Sequence, residues 1–358
     1  MATPTLEPLA SLLLAPFLDA GSRTFWPGLV LTALVAAWLT RRQPWSVSWR
    51  HLQALARHPS TRLDVQLLLA RQLLRGLRGA ASVGGAFAVA AWIVLRLDHT
   101  FGAPTPLPLS PALLAVLYSL TLFIAWDASR FAAHWLMHKI PLLWAFHQVH
   151  HSAERLSPLT FHRVHPVESL IYDLRGAITT GAVAGLFFWL TRGQAEALTL
   201  VGVPALGLAL NVLTGNLRHS ELWVRFPPAV EGWLLSPAQH QLHHSAAPEH
   251  VDKNLGTWLA CWDRLAGSLV LADSPPVAFG LPAGERNHRD DLLSALFGPF
   301  IGAAKALVGP RALAALGLFT AQSARAQDPE APEAEPAEEA PPRPRAEGVG
   351  AEILIYAE

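Results

Sequence analysis

The sequence predicts an all-α integral membrane protein in which a bundle of helices spans a lipid bilayer. The chain has 358 residues, of which 51% are hydrophobic and only 15% are charged. A soluble domain carries about 25% charged residues. Five apolar stretches approach the roughly 20 residues that a spanning helix needs. They lie near 25–40, 80–97, 111–133, 176–191 and 195–214. The first and fourth are short.

Arginines predict how these stretches are oriented. Arg41 and Arg42 follow the first stretch, and three further arginines precede the second. Because loops rich in basic residues stay in the cytoplasm, both of these ends are expected there. The loop 98–110 is then outside. This topology places the histidines of 134–165 and of 219–244 on the cytoplasmic side of the membrane.

Composition also restricts the partners. The formal net charge is zero, so there is no electrostatic case for a nucleic-acid partner. Cys261 is the only cysteine, which excludes a disulfide framework and a thiolate-clustered metal site. Only Lys139, Lys253 and Lys305 are lysines among the 27 basic residues. This arginine bias is typical of GC-rich bacterial genomes, so we expect a bacterial inner membrane protein.

A histidine-rich hexapeptide occurs twice, as HQVHHS at 147–152 and as HQLHHS at 240–245. The spacing i, i+3, i+4 puts the three histidines of each copy on one face of a helix. His134 and His138 have the same i, i+4 relation. With the histidines of HRVHPVE and NLRHSE, the candidate metal ligands are His134, His138, His147, His150, His151, His165, His219, His240, His243 and His244.

Ten imidazoles beside apolar segments predict a site with at least two metal ions. Without a ligand, many of their nitrogens would be buried unsatisfied. Neutral imidazole suits iron, zinc, copper and nickel, and one zinc takes about four ligands. No H-E-x-x-H motif of a zinc protease is present. The one Glu-x-x-His pair, Glu285 with His288, lies after the apolar core, which disfavours the soluble di-iron scaffold.

Five segments carry a family resemblance: DASRFAAHWLMHKIPLLWAFHQVHHS, RVHPVE, NLRHSE, SPAQHQLHHS and NLGTWLACWDRLAGSL. Over roughly 115–272 the chain resembles the fatty acid hydroxylase/sterol desaturase superfamily. The resemblance implies a membrane-embedded di-iron oxygenase, a four-helix transmembrane bundle above cytoplasmic histidine boxes, and metal-ligand roles for all ten histidines. Trp135 replaces the usual arginine, and Ala266 replaces the usual aromatic residue. We relate both changes to substrate choice. His162 is an additional histidine, either a bystander or an outer-shell group.

Carboxylates near the histidines are expected to orient imidazole N–H groups. The candidates are Asp127, Glu168, Asp263 and Glu221. Asp127 lies two helical turns before His134, on the same face. For Glu221, an ordinary surface role is an equal alternative. Asn216 and Asn254 are weaker candidates.

The domain organisation follows from these features. Residues 1–110 are expected to form transmembrane and interfacial helices, and 111–275 the catalytic domain. Residues 276–326 read as a loop and an apolar segment, within which 275–300 looks loop-like. The Pro/Glu/Ala-rich tail 327–358 is expected to be disordered. The amphipathic segment 52–75 is either an interfacial helix or, more simply, a connector.

The carboxy-terminal region allows two interpretations. Residues 305–326 have the basic start, apolar core and Ala-Arg-Ala end of an export leader, and the chain ends in AEILIYAE. One hypothesis is a fused or misread exported segment. The alternative is a last membrane-associated helix with a solvated tail.

The sequence therefore predicts an O₂-dependent oxidoreductase that hydroxylates or desaturates a lipid, whether fatty acyl, sterol-like, carotenoid or ether lipid. Two iron ions are the expected cofactor, with zinc as a substituting metal. No electron-carrying motif is visible, so a separate reductase is expected. The alternatives are a non-redox zinc membrane enzyme and a metal-binding membrane protein that use the same histidines. A transporter is disfavoured because 177–191 and 195–214 contain only Glu196 as an ionisable residue.

Overall fold

The structure, a computed structural model, describes residues 14–18, 24–40, 49–107, 109–192, 215–282, 285 and 291–315. Within these ranges the chain is helical and forms no β-strand beyond two isolated bridges, which confirms the all-α prediction. The main helices are α1 (Trp26–Thr40), α2 (Trp49–Arg57), α3 (Pro59–Phe101), α4 (Pro111–Lys139), α5 (Pro141–His151), α6 (Pro166–Thr191), α7 (Pro237–His243), α8 (Cys261–Ala266) and α9 (Leu292–Ala315). The predicted fifth span and the tail 327–358 lie outside the described residues.

Three helices are long and apolar enough to cross a membrane, namely Ala81–Phe101, Pro111–Lys139 and Pro166–Thr191. They confirm the second, third and fourth predicted stretches. α6 begins ten residues before the predicted stretch. Glu168, Asp173 and Arg175 lower the mean hydropathy of its first turns, so the apolar pattern becomes visible only from residue 176. α1 has only 15 residues, in keeping with the short first stretch.

The spanning helices pack closely where they carry small residues. A Cβ atom added at Gly181 of α6 would lie 2.5 Å from the Ala86 carbonyl of α3, and one at Gly185 would lie 2.7 Å from the Ala90 carbonyl. Only glycine therefore allows this backbone approach, as is common between membrane helices. On the other side of α6, the ring of Phe187 meets Tyr118 of α4 edge-on, with centroids 5.2 Å apart.

The segment 52–75 is divided into two helices at His58. Pro59 begins α3, and the His58 ring accepts a hydrogen bond from the Ser60 backbone N–H. α3 then continues without a break into the second span. Leu63 and Leu67 are buried against Val149 of α5. These contacts favour the connector interpretation over the interfacial one, because the apolar face of α3 supports a histidine-bearing helix.

α9 corrects the prediction that 275–300 is a loop, since the helix begins at Leu292. Its small residues explain the packing: Ala295 and Ala303 are buried against α5. A Cβ atom at Gly302 would lie 3.3 Å from the Ala145 Cβ. α9 therefore supports the back of the helix that carries HQVHHS.

Candidate metal centre

Four segments bring the histidines together. His134 and His138 lie in the last turns of α4, and the first hexapeptide forms the end of α5. The second hexapeptide forms the end of α7 and the two residues that follow it. His219 follows the single helical turn Asn216–Arg218. Helix ends place the rings at the boundary of the spans, while the i, i+3, i+4 spacing aims each set in one direction.

The ring nitrogens form two groups, in each of which the nitrogens lie within 4.8 Å of one another. The first group contains His134, His138, His147, His151 and His243, and the second contains His150, His219, His240 and His244. The groups are adjacent: the centroids of His151 and His244 are 4.7 Å apart with the rings stacked, and those of His147 and His150 are 5.6 Å apart. Nine of the ten predicted ligands are thus gathered into two neighbouring sets.

Outward-facing nitrogens determine which tautomers the rings adopt. Five Nδ1 atoms face a backbone carbonyl or a carboxyl oxygen, and all five carry the proton when the two carboxyls are ionised. The pairs are His134 with the Leu255 carbonyl at 2.6 Å, His138 with Asp252 Oδ1 at 3.1 Å, His147 with Glu168 Oε1 at 2.8 Å, His150 with the Arg163 carbonyl at 3.2 Å, and His243 with the Lys253 carbonyl at 2.8 Å. Their Nε2 atoms are left as lone-pair donors, which is the form that binds metal.

The inward-facing nitrogens fit metal ions. His134 Nε2 and His147 Nε2 lie 3.0 Å apart, although both rings have their proton on Nδ1. Two lone pairs at this distance repel unless a cation lies between them. Nitrogens about 2.0–2.1 Å from one ion are about 3.0–3.4 Å apart. Both ring nitrogens of His244, and Nε2 of His138 and His243, are buried and have no hydrogen-bond partner among the described residues, which is unusual for buried polar atoms.

Glu168 occupies the position that the sequence predicted for an orienting carboxylate. It is 2% exposed, and its Oε1 atom accepts a hydrogen bond from His147 Nδ1. Its Oε2 atom has no hydrogen-bond partner among the described residues. Asp252, which the sequence did not predict, accepts from Nδ1 of His138 in the same way and also pairs with Lys139. Asp252 lies eight residues after His244 and outside any helix, so helical spacing cannot predict its contact with His138. A left-handed backbone conformation (φ 58°) turns its side chain toward that ring.

Asp127 and Asp263 do not contact a histidine, which corrects the prediction for both. The carboxylate of Asp127 accepts from the backbone N–H groups of Trp258 and Leu259 and from the Trp262 indole. Asp263 accepts from the N–H groups of Leu255 and Gly256 and from the Ser268 hydroxyl. Both acids thus hold the segment 253–262, here called the closing segment. Its carbonyls in turn accept from the rings of His134 and His243.

We expect Asp127→Asn to destabilise the fold more than it perturbs metal binding. The amide turns one acceptor into a donor that faces N–H groups, and a hydrogen bond to a charged group contributes about 1.5–3 kcal/mol. Thermal unfolding followed by tryptophan fluorescence should show a lower midpoint. Insertion into the membrane should persist. An unchanged midpoint would contradict this role for Asp127.

His165 is the predicted ligand that the structure places outside both groups. Its Nδ1 atom accepts from the Val167 N–H at the start of α6, and its Nε2 atom donates to the Leu296 carbonyl of α9. Both nitrogens are therefore engaged, because Pro166 makes the preceding residue an N-cap. His162 also lies outside the groups, beside Thr24 and Arg71.

The weaker candidates also have other partners. Glu221 pairs with Arg155, which favours its alternative, ordinary ion-pair role. Asn254 lies at φ 53°; its amide donates to the Gln239 carbonyl and accepts from the Val270 N–H. It therefore fixes the closing segment rather than a histidine. Asn216 is buried, and its amide nitrogen has no hydrogen-bond partner.

Burial makes the histidines poor bases. It lowers the pKa of His150 to about 3. Burial, followed by the neighbouring imidazoles, holds the pKa of His147, His151 and His244 well below the usual 6.5. The rings are therefore neutral at physiological pH, as metal binding requires.

This burial predicts that the metal-free chain loses stability as the pH falls below about 6.5. Between that pH and about 3, the unfolded state binds protons at histidines such as His150 that stay neutral in the folded state. Stability is thus fully present above pH 6.5 and declines below it. The measurement is urea unfolding of the chelator-treated protein from pH 8 to pH 5. Equal midpoints at pH 7 and pH 5 would contradict the prediction, and equal midpoints at pH 7.5 and pH 8 serve as the control.

A cavity of about 80 Å³ lies against both groups of histidines. His134 and His147 of the first group and His150 of the second line it. Glu168 and Tyr172 of α6 form another part of the wall. A molecule in this cavity would meet both groups at once.

Comparison with known proteins agrees with this arrangement. A fatty acid hydroxylase family model matches residues 119–268. Alkylglycerol monooxygenase of Danio rerio is 29% identical over 159 residues, which cover 44% of this chain and 32% of that protein. An ornithine lipid hydroxylase of Rhizobium tropici is 25% identical over 273 residues, which cover 70% and 75%. Cholesterol 25-hydroxylase of Rattus norvegicus is 27% identical over 184 residues, which cover 50% and 56%.

The chain matches about a third of the length of the alkylglycerol monooxygenases, and no solved structure matches it. The segment matched by the family model contains all nine clustered histidines, the two carboxylates that contact them and the closing segment. The family match therefore coincides with the site itself. Residues 119–268 thus carry both the match to the fatty acid hydroxylase family and the whole histidine site.

Proposed function

We propose that this protein is a membrane-bound lipid hydroxylase whose nine clustered histidines hold two iron ions. The observation that carries the proposal is the approach of His134 Nε2 and His147 Nε2 to 3.0 Å with both ring protons on the far side. The two adjacent groups of imidazoles supply a site for each ion. The relatives are named for hydroxylation or monooxygenation of alkylglycerol, ornithine lipid and cholesterol, which supports hydroxylation over desaturation.

The reaction consumes R–H, O₂, two electrons and two protons and yields R–OH and water. The nine clustered histidines would hold two ferrous ions, which when bound would supply the reduction of O₂ with electrons from outside the site. A separate reductase is proposed as the electron donor. Hydroxylation changes a single C–H bond, so the cavity has to hold only that bond against the histidine groups.

The side chains position the site and keep it dry. The Nδ1 hydrogen bonds hold each ring so that Nε2 points inward, and such outer partners affect metal affinity strongly. Burial of the nine rings excludes bulk water, which would quench a reactive oxygen species. The lipid reaches the cavity from the bilayer along α4 and α6, both of which are candidate membrane spans. On the arginine distribution, we place the site at the cytoplasmic face.

The test is metal analysis of the detergent-purified chain, followed by turnover. About two irons per chain after anaerobic reconstitution, with ¹⁸O from ¹⁸O₂ in a hydroxylated lipid, would support the proposal. Zinc that persists after iron reconstitution, with no O₂ consumption, would support the non-redox zinc alternative instead. A folded chain without any bound metal would contradict both.

A further inference from the structure

Arg218 is a buried cation that forms no ion pair with any of the described residues. Its side chain is 2% exposed, its Nε atom has no hydrogen-bond partner, and its guanidinium lies over the Trp258 ring at 4.4 Å. No carboxylate of the described residues lies within ion-pair distance of it. The carboxylate of Asp127 is engaged by three N–H groups. Asp127 attracts Arg218 only at longer range. A buried charge without a counterion in direct contact is costly, so an anion bound beside Arg218 would be stabilised.

Arg130 lies at the same cavity, and both arginines line its wall together with histidines of both groups. Its Nε atom donates to the Thr257 hydroxyl at 3.0 Å, and its guanidinium lies 4.6 Å from the centre of the Tyr172 ring. Within the described part of the chain it, too, has no carboxylate in ion-pair range. Its terminal N–H groups remain for a ligand, and a guanidinium fork suits phosphate and carboxylate.

The charges of the cavity favour an anion. Of the described residues in the lining, Glu168 alone has a carboxylate, and it already accepts from His147. Arg71, Arg130 and Arg218 line the cavity and add three positive charges to those of the proposed metal ions. Asp127 and Glu168 offset part of this excess, and an anionic guest would neutralise more of it than an uncharged guest.

We propose that Arg130 and Arg218 form an anion subsite that holds the phosphate or carboxylate headgroup of the lipid substrate. The inference rests on the proposed function, since it names the substrate class of that same cavity. Because the cavity touches the two arginines and both groups of histidines, a carbon only a few bonds from the anion reaches the histidines. The hydroxylated position is therefore near the headgroup and not far along the chain.

The first test compares ligands on the full chain in non-ionic detergent, by titration calorimetry. Hexadecyl phosphate should bind at least about tenfold more tightly than 1-O-hexadecylglycerol, which has the same chain length without the charge. Equal affinity would overturn the subsite. Inorganic phosphate alone should compete only weakly. If it displaced hexadecyl phosphate at equal concentration, the occupant would be a free anion, and the headgroup assignment would be wrong.

The second test uses variants. Arg218→Gln and Arg130→Gln should each lower the affinity for hexadecyl phosphate about tenfold or more and leave that for hexadecylglycerol unchanged. Arg218→Lys keeps the charge and should retain part of the preference. Arg192→Gln, at the far end of α6 where Arg192 pairs with Asp98, is the control and should change neither affinity.

If a variant of the buried Arg218 fails to fold, the variant of the half-buried Arg130 still tests the proposal. Unchanged phosphate binding by a folded Arg130→Gln would overturn the proposal. Binding is measured without turnover, so the subsite can fail while lipid hydroxylation stands. Conversely, a charge preference that depends on both arginines would support the subsite even if the metal proved to be zinc.

Discussion

Replacing His243 or His150 by alanine is expected to remove bound metal and reduce hydroxylation by at least about 100-fold. His243 belongs to the first group of nitrogens and His150 to the second. Each loss removes a lone-pair donor and leaves the remaining imidazoles of its group facing one another. Removing an outer partner already costs about 10- to 100-fold, so removing the ligand itself should cost more. Elemental analysis of the purified variants should give about one iron per chain or fewer.

His165→Asn is the matched control for this prediction. Asparagine is a good N-cap, so it can still accept from the Val167 N–H as His165 does. It cannot replace an imidazole ligand. The variant should keep two irons and most of its activity. A loss of metal as large as that of His150→Ala would contradict the nine-histidine site and restore His165 as a tenth ligand.

Glu168→Gln is expected to weaken metal binding or turnover by about 10- to 100-fold while the fold persists. The side chain keeps its shape but loses the negative charge that strengthens His147 as a donor. The amide must also orient its oxygen toward the ring, which leaves an N–H₂ group where Oε2 now lies without a partner. Chelator competition gives the change in metal affinity, and oxygen consumption gives the change in rate.

Two other carboxylates calibrate that result. Asp252→Asn should have a smaller effect, since Asp252 is 30% exposed and its charge is shared with Lys139. Glu221→Gln should change metal affinity little, because Glu221 pairs with Arg155 and not with a histidine. If Glu221→Gln were as damaging as Glu168→Gln, loss of any buried charge would explain both results. The specific role of Glu168 would then fail.

The contacts of Asp127 and Asp263 could not be predicted from the sequence. Helical spacing along α4 correctly put Asp127 on the same face as His134. The two residues are two turns apart, however, so a shared face does not imply that their side chains meet. The closing segment packs against that face and takes the carboxylate through the N–H groups of Trp258 and Leu259. Contacts of this kind join residues more than 130 positions apart, and no local period predicts them.

By itself the sequence determined the all-α class, three of the membrane-spanning stretches and nine clustered histidines. These features depend on local physics, namely the length of apolar runs and the i, i+3, i+4 face of a helix. The tertiary structure alone decided how α4, α5 and α7 divide the nine rings between two groups. It also placed His165 outside both groups as the N-cap of α6, and it brought Arg130 and Arg218 to one cavity. Those outcomes depend on which helix ends meet, and burial and hydrogen bonding between distant segments determine that.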